Sequence, residues 1–131
     1  MEKQGFDIVE LNIKSLKYAV PAYYVLTTAE ASSNLARFDG IRYGLSFRNS
    51  DIDSVYHDTK TQGFGEEVKR RIIIGTYVLS SGYYDAYYLK AQKIRKMIKT
   101  DFDAAFKKVD LLFLPTSPEL PYEIGKKKGN P

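Results

Sequence analysis

A helical period dominates the second half of this chain, from Glu66 to Lys108, and it constrains the fold more than any other feature. Apolar and small side chains recur there every three or four positions, first at Val68, Ile72, Thr76 and Leu79. Gly82 predicts a break, after which a second long helix is predicted from about Tyr83 to Lys108. The predicted core face of that helix is Tyr87, Ile94, Ile98, Phe102 and Ala105.

Two further helices are predicted in the first half of the chain. Pro21 suits the first position of a helix, and this helix is predicted to run from about Pro21 to Ala31. A short amphipathic helix is predicted from Asp51 to Lys60, ended by the two glycines of Gly63-Phe64-Gly65.

Two segments have the pattern of strands. Apolar and polar residues alternate over Phe6–Ile13, and Asp110–Leu114 is a short apolar run bounded by Pro115, typical of a strand buried in a mixed or parallel sheet. Two long helices between two lone strands indicate the α/β class with an incomplete sheet. We expect residues 1–124 to form one partial domain and residues 125–131, which contain three lysines and no apolar side chain, to be a disordered or truncated loop tail.

Composition excludes several kinds of site. The chain has no cysteine and one histidine, which argues against a disulfide framework, a thiolate metal site and a histidine metal cluster. His57 lies in a hydrophilic run and is expected to be solvated. The net charge is +4, and the apolar patch Tyr18–Leu26 is too short to span a bilayer, so we expect a soluble, cytoplasmic protein with no membrane partner.

The polar run Glu30–Gly44 is dense in hydrogen-bonding groups, and it indicates either a structured loop or part of a site. Ser32, Ser33 and Asn34 could cap a helix or form side-chain-to-backbone turns. Three charged residues could form a network within the same run: Arg37, Asp39 and Arg42.

A tyrosine-rich stretch precedes Arg95. On a helical wheel Tyr84, Tyr88 and Arg95 lie close together beside the core face, where the guanidinium could bind a carboxylate through two parallel hydrogen bonds. The alternative is that Arg95 pairs with a nearby acid, or that the tyrosines only fill the core.

A set of lysines covers the remaining arc of this helix and is expected to be a solvated face rather than a nucleic-acid surface: Lys90, Lys93, Lys96 and Lys99. Phosphate-binding loops, nucleophile elbows and metal-ligand spacings are absent from the sequence.

Two blocks carry a resemblance. EASSNLARFDGIRYG, within Tyr24–Gly44, and GFGEEVKRRIIIGTYVLSSGYYDAYYLKAQKIR, over Gly63–Arg95, closely resemble the family of glutamyl-tRNA(Gln) amidotransferase A subunits, a branch of the amidase signature family. Phe113-Leu114-Pro115-Thr116 resembles the next strand and loop of that family. The resemblance covers most of residues 6 to 120.

This resemblance implies a fold and a function. The family has a mixed sheet wrapped by helices, so the chain is expected to be an incomplete slice of the amidase signature fold. The family hydrolyses glutamine with a Ser-cisSer-Lys triad and passes the ammonia to a partner subunit, which uses ATP and magnesium to convert Glu-tRNA(Gln) to Gln-tRNA(Gln) in translation. The implied partners are subunits B and C, glutamine, and Glu-tRNA(Gln) through the complex. Arg95 matches the arginine that holds the glutamine α-carboxylate, and Tyr43 is placed in the same pocket.

The chain departs from the family in one decisive respect. The glycine- and serine-rich signature that carries both catalytic serines is absent, as is the lysine upstream of it; Ser32-Ser33 and Ser80-Ser81 belong to other motifs. No catalytic residue, metal ligand or cofactor is therefore predicted in this chain. We expect a central-to-C-terminal fragment of the glutamine-hydrolysing subunit, inactive alone. The alternatives are a non-catalytic module that binds a partner subunit or a small carboxylate, and a basic tRNA-contacting protein.

Overall fold

The computed structural model describes residues 2–42, 44–48, 51–117 and 120–125. Two short 3-10 turns, Glu2–Gln4 and Lys14–Tyr18, come before the first long helix. A π-helical segment, Tyr84–Leu89, leads directly into the last one. The four α-helices are α1 (Ala19–Leu35), α2 (Ile52–Gly63), α3 (Glu66–Leu79) and α4 (Lys90–Ala105).

Helix α1 is longer than predicted. It was expected to end near Ala31, with a loop over the serines that follow, but it continues to Leu35. The reason is that Ser32 Oγ donates to the carbonyl of Ala29 at 3.0 Å, so the hydroxyl is satisfied within the helix. Thr28 does the same with the carbonyl of Tyr24 at 2.7 Å. The serines and Asn34 are therefore the last turns of α1 and not a cap.

Helices α1 and α3 form the main packing interface of the fold. Gly75 allows their close approach, since a Cβ atom there would lie 2.6 Å from the carbonyl carbon of Thr28 and 2.8 Å from Ser32 Cβ. The buried apolar side chains at and around this interface are small: Ala22, Ala29 and Val78. The core is thus built from small residues that let backbones come together.

Helix α4 packs on α1 and on the 3-10 turn Lys14–Tyr18. Ala91 and Ala105 are buried, and Ile94, Ile98 and Phe102 are half-buried, which confirms most of the predicted core face. Tyr87, predicted to belong to that face, is instead 44% exposed. A π turn takes about one more residue than an α turn, so the wheel drawn for an unbroken α-helix misplaces Tyr87.

The predicted break at Gly82 is confirmed. Gly82 has a φ of +86°, which L side chains rarely adopt. The chain turns there between α3 and the π-helical segment.

The sheet is not confirmed. Over the described ranges, residues 6–13 and 110–114 have no strand, although both were predicted to be strands. A strand needs a neighbour to take its backbone hydrogen bonds, and the described residues offer neither segment such a neighbour. Both segments leave large apolar side chains exposed, as at Phe6 (62%) and Phe113 (83%).

Helix α2 is held at both ends. Asp51 caps it by accepting from the backbone N–H of Ser54 at 3.0 Å. The helix continues three residues past the predicted Lys60 and ends at Gly63, the first of the two glycines expected to stop it. It packs on none of the other described helices.

None of the helices in the described ranges is long and apolar enough to cross a membrane.

Candidate functional site

Arg95 lies on the exposed side of α4, one turn after the buried Ala91. It lines an open groove of about 540 Å³ together with Gln92, Lys96 and Lys99. Within the part of the chain that the structure describes, no carboxylate forms an ion pair with Arg95, whereas Lys99 is bonded to Asp103 at 2.6 Å. The interpretation in which Arg95 simply pairs with a neighbouring acid is therefore not supported, and the guanidinium is available to an anionic ligand.

Two of the predicted tyrosines, Tyr84 and Tyr88, precede the groove residues on the same helical run. The rings of Tyr84 and Tyr88 are 5.1 Å apart between centroids and tilted by 30°. Tyr88 is half-buried, and its hydroxyl accepts a hydrogen bond from Gln92 Nε2 at 3.0 Å. The structure thus connects the tyrosines to the groove through Gln92. Sequence reasoning missed Gln92, although its position four residues after Tyr88 could have indicated the contact.

The predicted charge network in the loop after α1 is confirmed in part. Arg42 pairs with Asp39 at 3.3 Å, but Arg37 donates instead to the carbonyl of Asn34 at 2.8 Å. The backbone N–H of Ile41 donates to Asp39, and this hydrogen bond is the main reason why the pKa of Asp39 lies below its usual value.

The loop between α1 and α2 packs against α2 and is hydrogen-bonded to it. Gly40 has a φ of +81° and lies against Thr59, where a Cβ atom at residue 40 would be 3.1 Å from Thr59 Cβ. Ser46 Oγ donates to the carbonyl of Gly40 at 2.5 Å, and Thr59 Oγ1 accepts from the backbone N–H of Phe47 at 3.2 Å. Tyr43 belongs to this loop in sequence but lies outside the described residues. Its predicted place beside Arg95 stays a prediction.

Comparison with known proteins identifies the family. The model of the family described as Amidase matches residues 1–131. The chain belongs to the amidase family.

Three curated relatives of this amidase chain are A subunits of glutamyl-tRNA(Gln) amidotransferase. It is 55% identical over 127 residues to the A subunit of glutamyl-tRNA(Gln) amidotransferase from Pelagibacter ubique, covering 97% of this chain and 26% of that protein. It is 55% identical over 131 residues to the protein of the same name from Moorella thermoacetica, covering 100% of this chain and 27% of that protein. It is 53% identical over 131 residues to the protein of that name from Caulobacter sp., covering 100% of this chain and 27% of that protein. The chain spans about a quarter of the length of the curated relatives it matches.

Two of the four serines of this amidase chain that were set apart from the family signature bond to backbone carbonyls. Ser32 bonds to a carbonyl of its own helix, and Ser80 Oγ donates to the carbonyl of Tyr77 at 2.7 Å. A hydroxyl that donates to a backbone carbonyl is not paired with a base, as an activated nucleophile would be. Within the described ranges, no group of three or more acidic or histidine side chains could hold a metal ion.

A second tyrosine cluster lies apart from Arg95, at the junction of α3 and the π-helical segment. The centroid of Tyr77 is 4.2 Å from that of Tyr83 and 6.2 Å from that of Tyr87. A hydrogen bond with Tyr83, together with desolvation, raises the pKa of Tyr77 to about 12. The dense run of tyrosines in the sequence therefore divides into two sets, and only Tyr84 and Tyr88 connect to the groove.

Proposed function

We propose that this amidase chain is part of the glutamine-hydrolysing, ammonia-donating subunit of a glutamyl-tRNA(Gln) amidotransferase. The names of the relatives, which match at 50% identity or more, support this assignment. The substrates would be glutamine and, through the complex, Glu-tRNA(Gln), and the partners would be subunits B and C. Such a subunit would act in the cytoplasm.

Within that subunit, Arg95 would bind the α-carboxylate of glutamine. The observation that carries this role is an arginine in an open groove, unpaired by any carboxylate that the structure describes. A planar guanidinium offers two parallel N–H groups to a carboxylate and so fixes its orientation as well as its charge. The buried Ala91, one turn earlier, holds the backbone of α4 against the core, which fixes the point from which the Arg95 side chain extends.

The chain by itself would not hydrolyse glutamine, because the serines and lysine of the Ser-cisSer-Lys triad lie outside its sequence. Its contribution is to bind and orient the substrate. We assign Tyr43 to the same pocket as a second contact. ATP and magnesium are assigned to the partner subunit, not to this chain.

The test uses a hybrid subunit, in which these 131 residues replace the matching 131 residues of the Moorella thermoacetica relative, and which is assembled with the partner subunits of that relative. We expect the hybrid subunit to release ammonia from glutamine. Arg95→Ala should raise the KM for glutamine about 100-fold, the loss expected for hydrogen bonds to a charged group. Arg95→Lys should recover part of that loss because it restores the charge without the fork.

The matched control is Arg70→Ala, which removes an exposed arginine of α3 paired with Glu67 at 3.1 Å. This variant should leave the KM unchanged. An unaltered KM in Arg95→Ala, or an equal change in both variants, would contradict the proposed role of Arg95.

A further inference from the structure

A second exposed surface lies apart from the Arg95 groove. It begins at the tyrosine cluster between α3 and the π-helical segment and continues onto the first turns of α4. All six of its side chains are exposed, and together they are called the tyrosine–lysine surface: Tyr77, Tyr83, Tyr87, Lys90, Lys93 and Met97.

This surface and the groove lie on different flanks of α4. Lys90, Lys93 and Met97 follow one another at three and four residues, so they are neighbours on one face. At 100° per residue, that face is roughly 140° around the helix from the centre of the groove-lining residues. Tyr87 joins the same face, because the extra residue of the π turn rotates it off the core face by roughly 100°. A ligand in the groove therefore leaves this surface open.

The composition of the tyrosine–lysine surface is that of a protein–protein interface. Its three tyrosines and Met97 are 41–47% exposed, and tyrosine and methionine are enriched where protein surfaces meet. The rings form one cluster, since the centroid of Tyr83 is 4.2 Å from that of Tyr77 and 6.1 Å from that of Tyr87. Nucleic-acid bases stack on free ring faces, whereas Tyr77 and Tyr83 each cover one face of the other. The cluster therefore suits an apolar side chain better than a base.

The charge of this surface favours an acidic partner. Residues 86–100 contain five cations and no acid. Lys99 pairs with Asp103, but neither Lys90 nor Lys93 forms an ion pair with a carboxylate in the ranges that the structure describes. Unpaired cations beside an apolar cluster are complementary to a protein segment that carries carboxylates around an apolar side chain.

We propose that the tyrosine–lysine surface is the docking site for an acidic segment of a partner protein. An apolar side chain of that segment packs on the tyrosine cluster, and its carboxylates pair with Lys90 and Lys93. This inference rests on the proposed function only in the choice of partner, which is one of the proposed partner subunits. It assigns a role in assembly to residues that take no part in binding glutamine.

The test measures the Kd for assembly of the hybrid subunit with the partner subunits of the Moorella thermoacetica relative, at about 50 mM and about 300 mM salt. Lys90→Glu combined with Lys93→Glu should weaken assembly about tenfold at the lower salt concentration, and by less at the higher one, because exposed ion pairs are screened. Tyr87→Ala should weaken assembly at least tenfold at both concentrations, since loss of a tyrosine buried in an interface is not relieved by salt.

The matched control is Lys107→Glu combined with Lys108→Glu, which makes the same change of charge at exposed residues beyond α4. This control should leave the Kd unchanged. An unchanged Kd in the Lys90/Lys93 and Tyr87 variants, or an equal loss in the control, would overturn the docking site.

Two further measurements separate the other possible occupants. The unassembled hybrid subunit should melt at the same temperature in every variant, because the surface is free before assembly. A lower melting temperature in the Lys90/Lys93 variant would show that the subunit's own chain covers the surface, and it would contradict the proposal. Weaker binding of total tRNA with unchanged assembly would assign the surface to RNA instead. If the hybrid subunit does not assemble at all, the proposed function fails as well, whereas assembly that the variants do not weaken removes only the docking site.

Discussion

Gly75→Ala should destabilise the packing of α1 on α3, although alanine is the better helix former. Alanine in place of glycine favours an isolated helix by about 1 kcal/mol. Against this, the new Cβ would lie 2.6 Å from the carbonyl carbon of Thr28 and 2.8 Å from Ser32 Cβ. The obstacle at Thr28 is backbone and cannot rotate away, so the two helices must separate.

Overpacking of this kind costs about 1–3 kcal/mol, and the backbone obstacle places Gly75→Ala at the upper end. After the gain in helix propensity, the net loss is about 2 kcal/mol, which is about 30-fold in an opening equilibrium. Amide hydrogen exchange of the hybrid subunit, measured on peptides that cover α1 and α3, should therefore accelerate about 30-fold.

The control for helix propensity is Thr76→Ala, the next position in α3, whose exposed side chain donates to the carbonyl of Ile72 in its own helix. This variant should exchange at the original rate or slightly more slowly, because alanine is favoured over threonine in a helix. Protection that is unchanged or increased in Gly75→Ala would refute the reasoning that the two backbones meet at this residue.

Three other predictions concern separate parts of the molecule. Gly40→Ala should loosen the loop from α2 and raise the hydrogen exchange of residues 44–48, since residue 40 has a φ of +81° and lies against Thr59; Gly65→Ala, with open space around it, is the control. The Tyr77 hydroxyl should titrate near pH 12 by tyrosine-selective NMR in the hybrid subunit. Because the pKa of Tyr77 is raised above 10, the stability that its neutral form contributes is present below pH 10 and is lost as the pH rises through about 12. Tyr83→Phe should return the pKa of Tyr77 toward 10. A pKa that does not move would exclude the hydrogen bond between the two tyrosines as the cause. The isolated 131-residue chain should release no ammonia from glutamine, because its sequence lacks the catalytic serines and lysine. It should also bind a hydrophobic dye or aggregate, because large side chains such as Ile73 (70%) and Leu120 (88%) are exposed. Glutamine turnover, or sharp cooperative unfolding as a monomer, would count against this.

The helices could be predicted because their signals are local. The recurrence of apolar residues from Val68 onward and the left-handed Gly82 each act within a few residues of sequence. The end of α1 could not be predicted in the same way. Serine hydroxyls suit a loop or a helix equally well, and the difference depends on whether they bond to the preceding turn, as Ser32 does.

The two predicted strands show where local patterns fail to predict structure. Their alternating and continuous apolar patterns correctly indicated surfaces that need covering, since both segments expose large side chains. A strand, however, is completed by another strand, which can lie anywhere in the sequence. Within the described residues that neighbour is missing, so the pattern alone does not produce a sheet.

For the candidate site, too, some features follow from the sequence and others only from the tertiary structure. The sequence by itself determined the family, through two long blocks, and it indicated Arg95 and the Tyr84–Tyr88 pair, because residues on one helix keep a fixed spacing. Only the tertiary structure decided that Arg95 has no carboxylate partner among the described residues, that Gln92 is held by Tyr88, and that Tyr87 is turned away from the core. It also decided the role of Gly75, which helix propensity alone marks as a weak point and which is in fact where two helices touch. The physical reason is that spacing along a helix is a property of the backbone, whereas pairing, burial and close approach depend on which other elements arrive at the same place.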